Sequence, residues 1–149
     1  MKHHPRIALY SHDTVGLGHM RRNLLIARTL ASSSLEPAIL LIAGNSHANA
    51  FAAPRGVDSI TLPALHKDAE GNYAAGALPL SLDRLVTLRA RTICAALEAF
   101  DPALLIVDKV PCGALRELMP ALAALKTRGR ARCVLGLRDV LDEPSVVRR

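Results

Sequence analysis

Tyr10-Ser11-His12-Asp13-Thr14-Val15-Gly16-Leu17-Gly18-His19-Met20-Arg21-Arg22 lies between the apolar run Arg6 to Tyr10 and a segment where Met20, Leu24, Ala27 and Ala31 recur at helical spacing. The run reads as a buried strand and the segment as an amphipathic helix. Gly16 and Gly18 therefore occupy a strand-to-helix crossing, the place where α/β folds hold ligands. Glycine lets backbone N–H groups come close to a ligand, and a helix N-terminus supplies unpaired donors and partial positive charge. A tight turn that binds nothing accounts for the same glycines.

Working outward, Ile39 to Ala43, Val57 to Leu62, Leu104 to Val107 and Cys133 to Leu137 are short β-rich runs, mostly apolar without alternation. Strands covered on both faces of a parallel sheet have this pattern. Between them the spacing predicts a short helix near Ser46 to Phe51, a long one from Leu82 to Phe100 and one from Ala114 to Lys126 closed by Gly129. Ser81 is the predicted N-cap of the long helix, with Asp83 in its first turn. Leu82, Leu85, Val86, Ile93, Ala96, Leu97 and Phe100 form its apolar face. Pro120 either kinks the later helix or marks its restart after a short first turn.

Five strands alternating with helices predict an α/β fold: a doubly wound, mainly parallel Rossmann-like sheet of order 3-2-1-4-5 in a three-layer α/β/α sandwich, one domain over residues 1–149. The order reverses between the first and fourth strands, so the crevice is expected where Ser11 to Gly18 faces Asp108 to Gly113. His12, Asp13, His19, Asp108 and Lys109 should converge there, with Arg138 and Asp139 following the fifth strand nearby. Partial positive charge at a helix start disfavours imidazolium, so His19 is placed to accept a proton from a hydroxyl, or simply to cap the helix. Asp108 could hold the imidazole tautomer as an orienting carboxylate, cap the following helix or bind Lys109. His12 and Asp13 match no compact zinc motif; hydrogen bonds within the loop are expected instead, and no metal site is assigned. Pro63 to Pro79, with Gly71, Asn72 and Gly76, is long for a connection. It is expected to be a mobile loop flanking the crevice, with Tyr73 a candidate sugar-stacking surface.

Composition narrows the function classes. Lys and Arg number 19 against 13 Asp and Glu, a net +6 spread over several segments, which suits an anionic partner. A phosphorylated small molecule, an anionic membrane face or a merely solvated surface each fits this balance. Nucleic acid is set aside: aromatic residues make up 3% of the chain, too few for stacking platforms, and no recognition-helix or zinc-ligand pattern appears. Three scattered cysteines and no secretory segment fit a reducing cytoplasm, and the apolar runs are too short to span a bilayer. Neither G-x-x-x-x-G-K-[ST] nor the third glycine of a dinucleotide fingerprint is present.

The run Tyr10 to Arg22, with Gly18-His19 opening the helix, resembles the start of bacterial predicted glycosyltransferases of the GT-B fold. These are similar to the N-acetylglucosaminyltransferase of the lipid-linked peptidoglycan precursor and, more remotely, to the UDP-glycosyltransferases. The likeness extends over nearly the whole chain, through Ile106-Val107-Asp108 and Leu135-Gly136-Leu137-Arg138-Asp139. It implies that His19 deprotonates an acceptor hydroxyl and Asp108 orients it; Gly16, Gly18, Asp13, Arg22, Arg138 and Asp139 are the candidate substrate-binding residues. It also implies a nucleotide-sugar donor, a UDP-sugar, with no cofactor and no metal. The expected location is cytoplasmic or peripheral to the inner membrane face. The peptidoglycan enzyme carries adjacent glycines before its histidine, where Leu17 precedes Gly18 here, and a proline at the place of Arg22, which leaves the acceptor open. Proteins of this fold hold the donor mainly in a second, C-terminal domain, so the chain is expected to be the acceptor half, needing a donor-binding domain in cis or in trans. Asp142 to Arg149 reads as the start of another helix, which favours truncation. A non-catalytic Rossmann-like module that binds a phosphorylated metabolite or a partner protein is the alternative.

Overall fold

The computed structural model describes residues 4–13, 18–44 and 52–137. Gly16, Arg138 and Asp139, the helix predicted near Ser46 to Phe51 and the segment Asp142 to Arg149 lie outside the described residues, wholly or in part.

Five parallel strands form one sheet: β1 (Arg6–Ser11), β2 (Ala38–Ala43), β3 (Val57–Thr61), β6 (Leu104–Asp108) and β7 (Arg132–Gly136), in the order β3-β2-β1-β6-β7. Counting only these five, the order is the 3-2-1-4-5 read from the sequence. The remaining two strands, β4 (Leu65–Lys67) and β5 (Tyr73–Ala75), pair as a separate antiparallel hairpin. The register sets Tyr10 opposite Ile42 on one side and Val107 on the other, so the carboxyl ends of β1, β2 and β6 are level.

Alternation along the strands divides the core into two layers. Ala8, Tyr10, Leu105 and Val107 point to one face, where α2 (Leu82–Phe100) and α3 (Met119–Arg128) add Ile93, Leu97, Ala121 and Leu125. Ile7 and Leu9 point to the other, against Leu24 and Ala27 of α1 (Gly18–Ala31). Burying each of these large side chains contributes about 1.5–3 kcal/mol, which fixes α1 over β1 and β2.

The helix ends follow local rules. Ser81 caps α2 by accepting from the Arg84 N–H at 3.4 Å, and Asp101 closes it in the left-handed region at φ 47. Pro120 sits in the first turn of α3, after a separate short turn at Ala114–Arg116 where Leu115 and Arg116 have positive φ. The single helix predicted from Ala114 is thus split, in the restart form.

Two expectations need correction. Residues 63–79 are not a plain loop: the hairpin packs Leu65 against Leu85 and Ala114, and a backbone bond from Gly76 to Ala64 closes its base at 3.0 Å. Its strands are three residues each, too short to leave a periodicity. The apolar run at β7 is also not covered on both faces, because Val134 is 48% and Leu135 38% exposed. Among the described strands β7 is last in the sheet order and pairs with β6.

Candidate functional site at the carboxyl ends of the first and sixth strands

Apolar pairing of β6 with β1 brings Asp108 to the sheet end beside Ser11, and α1 begins over the same corner. His19 is the second residue of α1, and Arg22, three residues on, shares its face. Both reach Asp108. His19 Nδ1 lies 2.6 Å from Asp108 Oδ2, while Arg22 Nη2 bonds Asp108 Oδ1. Asp108 is 2% exposed and His19 15%, so the carboxylate is enclosed and the imidazole opens to solvent at one side.

The tautomer follows from the neighbours. A carboxylate oxygen at 2.6 Å requires a donor, so Nδ1 carries the proton and donates it to Asp108. Arg22 Nη2, 3.3 Å from the same nitrogen, is then a charge contact and not a hydrogen bond. In the neutral form of the ring the lone pair is then on Nε2.

Behind this dyad lie His12 and Asp13. The rings of His12 and His19 are 5.1 Å apart and tilted by 42°. Burial, and then the nearby His19, lower the pKa of His12 from 6.5 to about 4, so it is neutral under ordinary conditions. Asp13, at φ 40, accepts a hydrogen bond from Ser11 Oγ. Burial raises its pKa, and the Ser11 bond opposes the rise. Among the described residues, His12 Nδ1, Asp13 Oδ1 and Asn23 Nδ2 are buried without a hydrogen-bond partner. Of the loop bonds expected for His12 and Asp13, Asp13 therefore makes the one with Ser11.

Of the residues expected to converge, His12, Asp13, His19 and Asp108 do so, joined by Arg22. Lys109 instead takes φ 60 and is exposed. Gly18 opens α1, and a Cβ there would meet no described atom within 4 Å, so no described contact requires glycine at that position. Tyr73 carries Lys67 Nζ 4.7 Å over its ring, so one ring face is occupied. Lys67 also acts electrostatically on His12. Among the described residues no group of three or more His, Cys, Asp and Glu could hold a metal ion, and no helix is long and apolar enough to cross a membrane.

A buried ionic network beneath the site was not anticipated. Arg89, wholly buried in α2, donates from Nε to Glu117 Oε2 at 2.5 Å and from Nη2 to Oε1 at 2.7 Å; its Nη1 bonds the Pro63 carbonyl. Tyr10 OH donates to Glu117 and accepts from the Ala114 N–H at 3.3 Å. Burial, and next the Glu117 charge, push the Tyr10 phenol upward and keep it protonated. The network ties β1, α2, the base of the hairpin and the turn after β6 into one frame. Its signal in the sequence is an arginine in the row Leu85, Arg89, Ile93, Leu97, where only apolar residues belong. Gly44 was also missed: a Cβ there would lie 1.9 Å from the His12 carbonyl oxygen and 3.2 Å from Arg89 Nη2. The His12 backbone thus passes directly over it.

A shallow cleft of about 430 Å³ lined by His4, Glu36 and Arg55 opens at the amino ends of β2 and β3, the opposite end of the sheet from His19. Comparison with family models and with curated proteins gave no match to this chain.

Proposed function

We propose that this chain is the acceptor-binding half of a glycosyltransferase that moves a sugar from a nucleotide-sugar, a UDP-sugar, to an acceptor hydroxyl. The observation that supports this reading best is the His19–Asp108 contact of 2.6 Å at the switch point of the sheet, which engages Nδ1 of a part-exposed imidazole and assigns the role of base to Nε2. The acceptor oxygen attacks the anomeric carbon, the bond from that carbon to the nucleotide diphosphate breaks, and the acceptor proton passes to His19 Nε2. Asp108 holds the ring and balances the imidazolium as it forms. Gly18, where a Cβ would meet no described atom within 4 Å, offers a backbone N–H at the start of α1 to a phosphate.

One sheet offers one switch-point crevice, and acceptor and base occupy it here. The donor pocket then belongs to a second domain, joined in cis or supplied in trans. Calorimetric titration with UDP-glucose and UDP-N-acetylglucosamine tests this directly. The chain alone should bind them weakly or not at all, and the chain joined to a donor-binding domain should bind and transfer. Tight nucleotide binding by the lone chain would instead favour a module for phosphorylated metabolites.

A further inference from the structure

We infer that Arg22 is a positioning residue that keeps His19 a neutral base by occupying the other oxygen of Asp108. This rests on the reading of His19 as the base. Asp108 is enclosed, and its two oxygens are divided: Oδ2 faces His19 Nδ1 at 2.6 Å and Oδ1 takes Arg22 Nη2. Arg22 Nη2 is also 3.3 Å from His19 Nδ1, so the three groups close a triangle.

Charge balance gives the triangle its effect. A histidine beside a buried carboxylate, with nothing else near, is drawn into an ion pair as imidazolium, and imidazolium has no lone pair with which to accept a proton. Arg22 stays charged at any working pH, so it already neutralises Asp108. The neutral imidazole is then the balanced state, and a second proton would leave a net positive charge in the corner. The other groups facing His19 act around this pair. His12, from the segment after β1, is neutral, and its tilted ring lies 5.1 Å from that of His19. Asp13 from the same segment interacts electrostatically with His19. Lys67 from the hairpin and Glu117 from the turn after β6 reach His12 with opposite signs, and Glu117 is itself held by Arg89. None of these bonds Asp108.

The guanidinium also fixes geometry. A carboxylate with one partner can swing about its Cβ–Cγ bond; with Arg22 on Oδ1, Oδ2 stays aimed at Nδ1. The spacing of three residues on one helix face makes this possible, because His19 and Arg22 approach the same side chain together.

The test uses the chain labelled with ¹⁵N-histidine and long-range ¹H–¹⁵N spectra of the imidazoles, for wild type, Arg22→Met, Arg22→Lys and Asp108→Asn, between pH 5 and 9. In the wild type Nδ1 should be protonated and Nε2 free at pH 7. In Arg22→Met the ratio of imidazolium to imidazole for His19 at a given pH should rise about tenfold, the effect of losing a unit charge at such a distance even when screened as by bulk water. Arg22→Lys should restore most of the wild-type ratio, which a loss of packing alone would not allow. Arg22 is one-third exposed, so both variants should fold. A rise below about threefold in Arg22→Met, or no recovery in Arg22→Lys, overturns the role of Arg22 and leaves the dyad standing. A wild-type His19 with its proton on Nε2, or one unaffected by Asp108→Asn, overturns the base itself. The two failures are therefore distinguishable.

Discussion

Replacing Arg89 by methionine is the severest single perturbation of the frame under the site. Arg89 and Glu117 have no solvent exposure at their side chains, and Arg89 supplies two of the three hydrogen bonds that Glu117 accepts. In Arg89→Met the carboxylate keeps only the Tyr10 hydroxyl, and the Pro63 carbonyl loses its arginine donor. Breaking a buried pair from one side costs about 3–5 kcal/mol, because it strands a charge. That is a large part of the roughly 5–15 kcal/mol by which a domain is stable. Removing both partners, as in Arg89→Met with Glu117→Leu, leaves no stranded charge and should cost less than the sum of the single changes by about 2 kcal/mol or more. Urea unfolding followed by circular dichroism measures all three variants. If Arg89→Met unfolds too readily to measure, Glu117→Gln gives the milder case. A loss below about 1 kcal/mol in Arg89→Met, or additive single losses in the double variant, would refute the reasoning.

Three further outcomes follow from particular contacts. Gly44→Ala drives a Cβ into the His12 carbonyl and should cost about 1–3 kcal/mol, lowering Tm by several degrees, whereas Gly18→Ala meets no described atom and should leave Tm unchanged or raised; calorimetry on the pair decides. His12 contributes acid sensitivity, because between pH 6.5 and about 4 the unfolded chain takes up a proton that the folded chain refuses. Stability from this source is whole above about 6.5 and falls by up to about 3 kcal/mol as pH drops through 4, so His12→Phe should flatten the urea midpoint over that window. Asp13 works in the opposite sense, since its raised pKa gives stability at low pH that is lost as pH rises through it; Asp13→Asn should remove that loss, seen in the same titration.

Most of the sheet was legible because β1, β2 and β6 are largely continuous apolar runs, the pattern of strands in a parallel sheet with helices on its faces. The limits of α2 were legible because Ser81, Asp83 and the apolar row obey capping and spacing rules. The meeting of His19 with Asp108 came from topology: an order that reverses beside β1 sets the ends of β1 and β6 side by side. Arg89 and Glu117 were not legible as a pair, since they are 28 residues apart and their contact depends on how α2 and the turn after β6 pack. The contact of Arg22 with Asp108 was not legible, because the distance between their side chains is a tertiary fact. The hairpin within 63–79 escaped notice because β4 and β5 are too short to leave a periodicity, and they take their stability from Leu65 on Leu85 and Ala114.

The proposed chemistry turns on Nε2 of His19, and its loss is the most direct measurement. Transfer from the UDP-sugar that supports turnover should be measured for wild type and His19→Ala, with the chain joined to a donor-binding domain and donor affinity determined in parallel by calorimetry. Loss of a general base should lower kcat by about 10²-fold or more while donor affinity stays nearly intact. Near-normal turnover in His19→Ala would contradict the account.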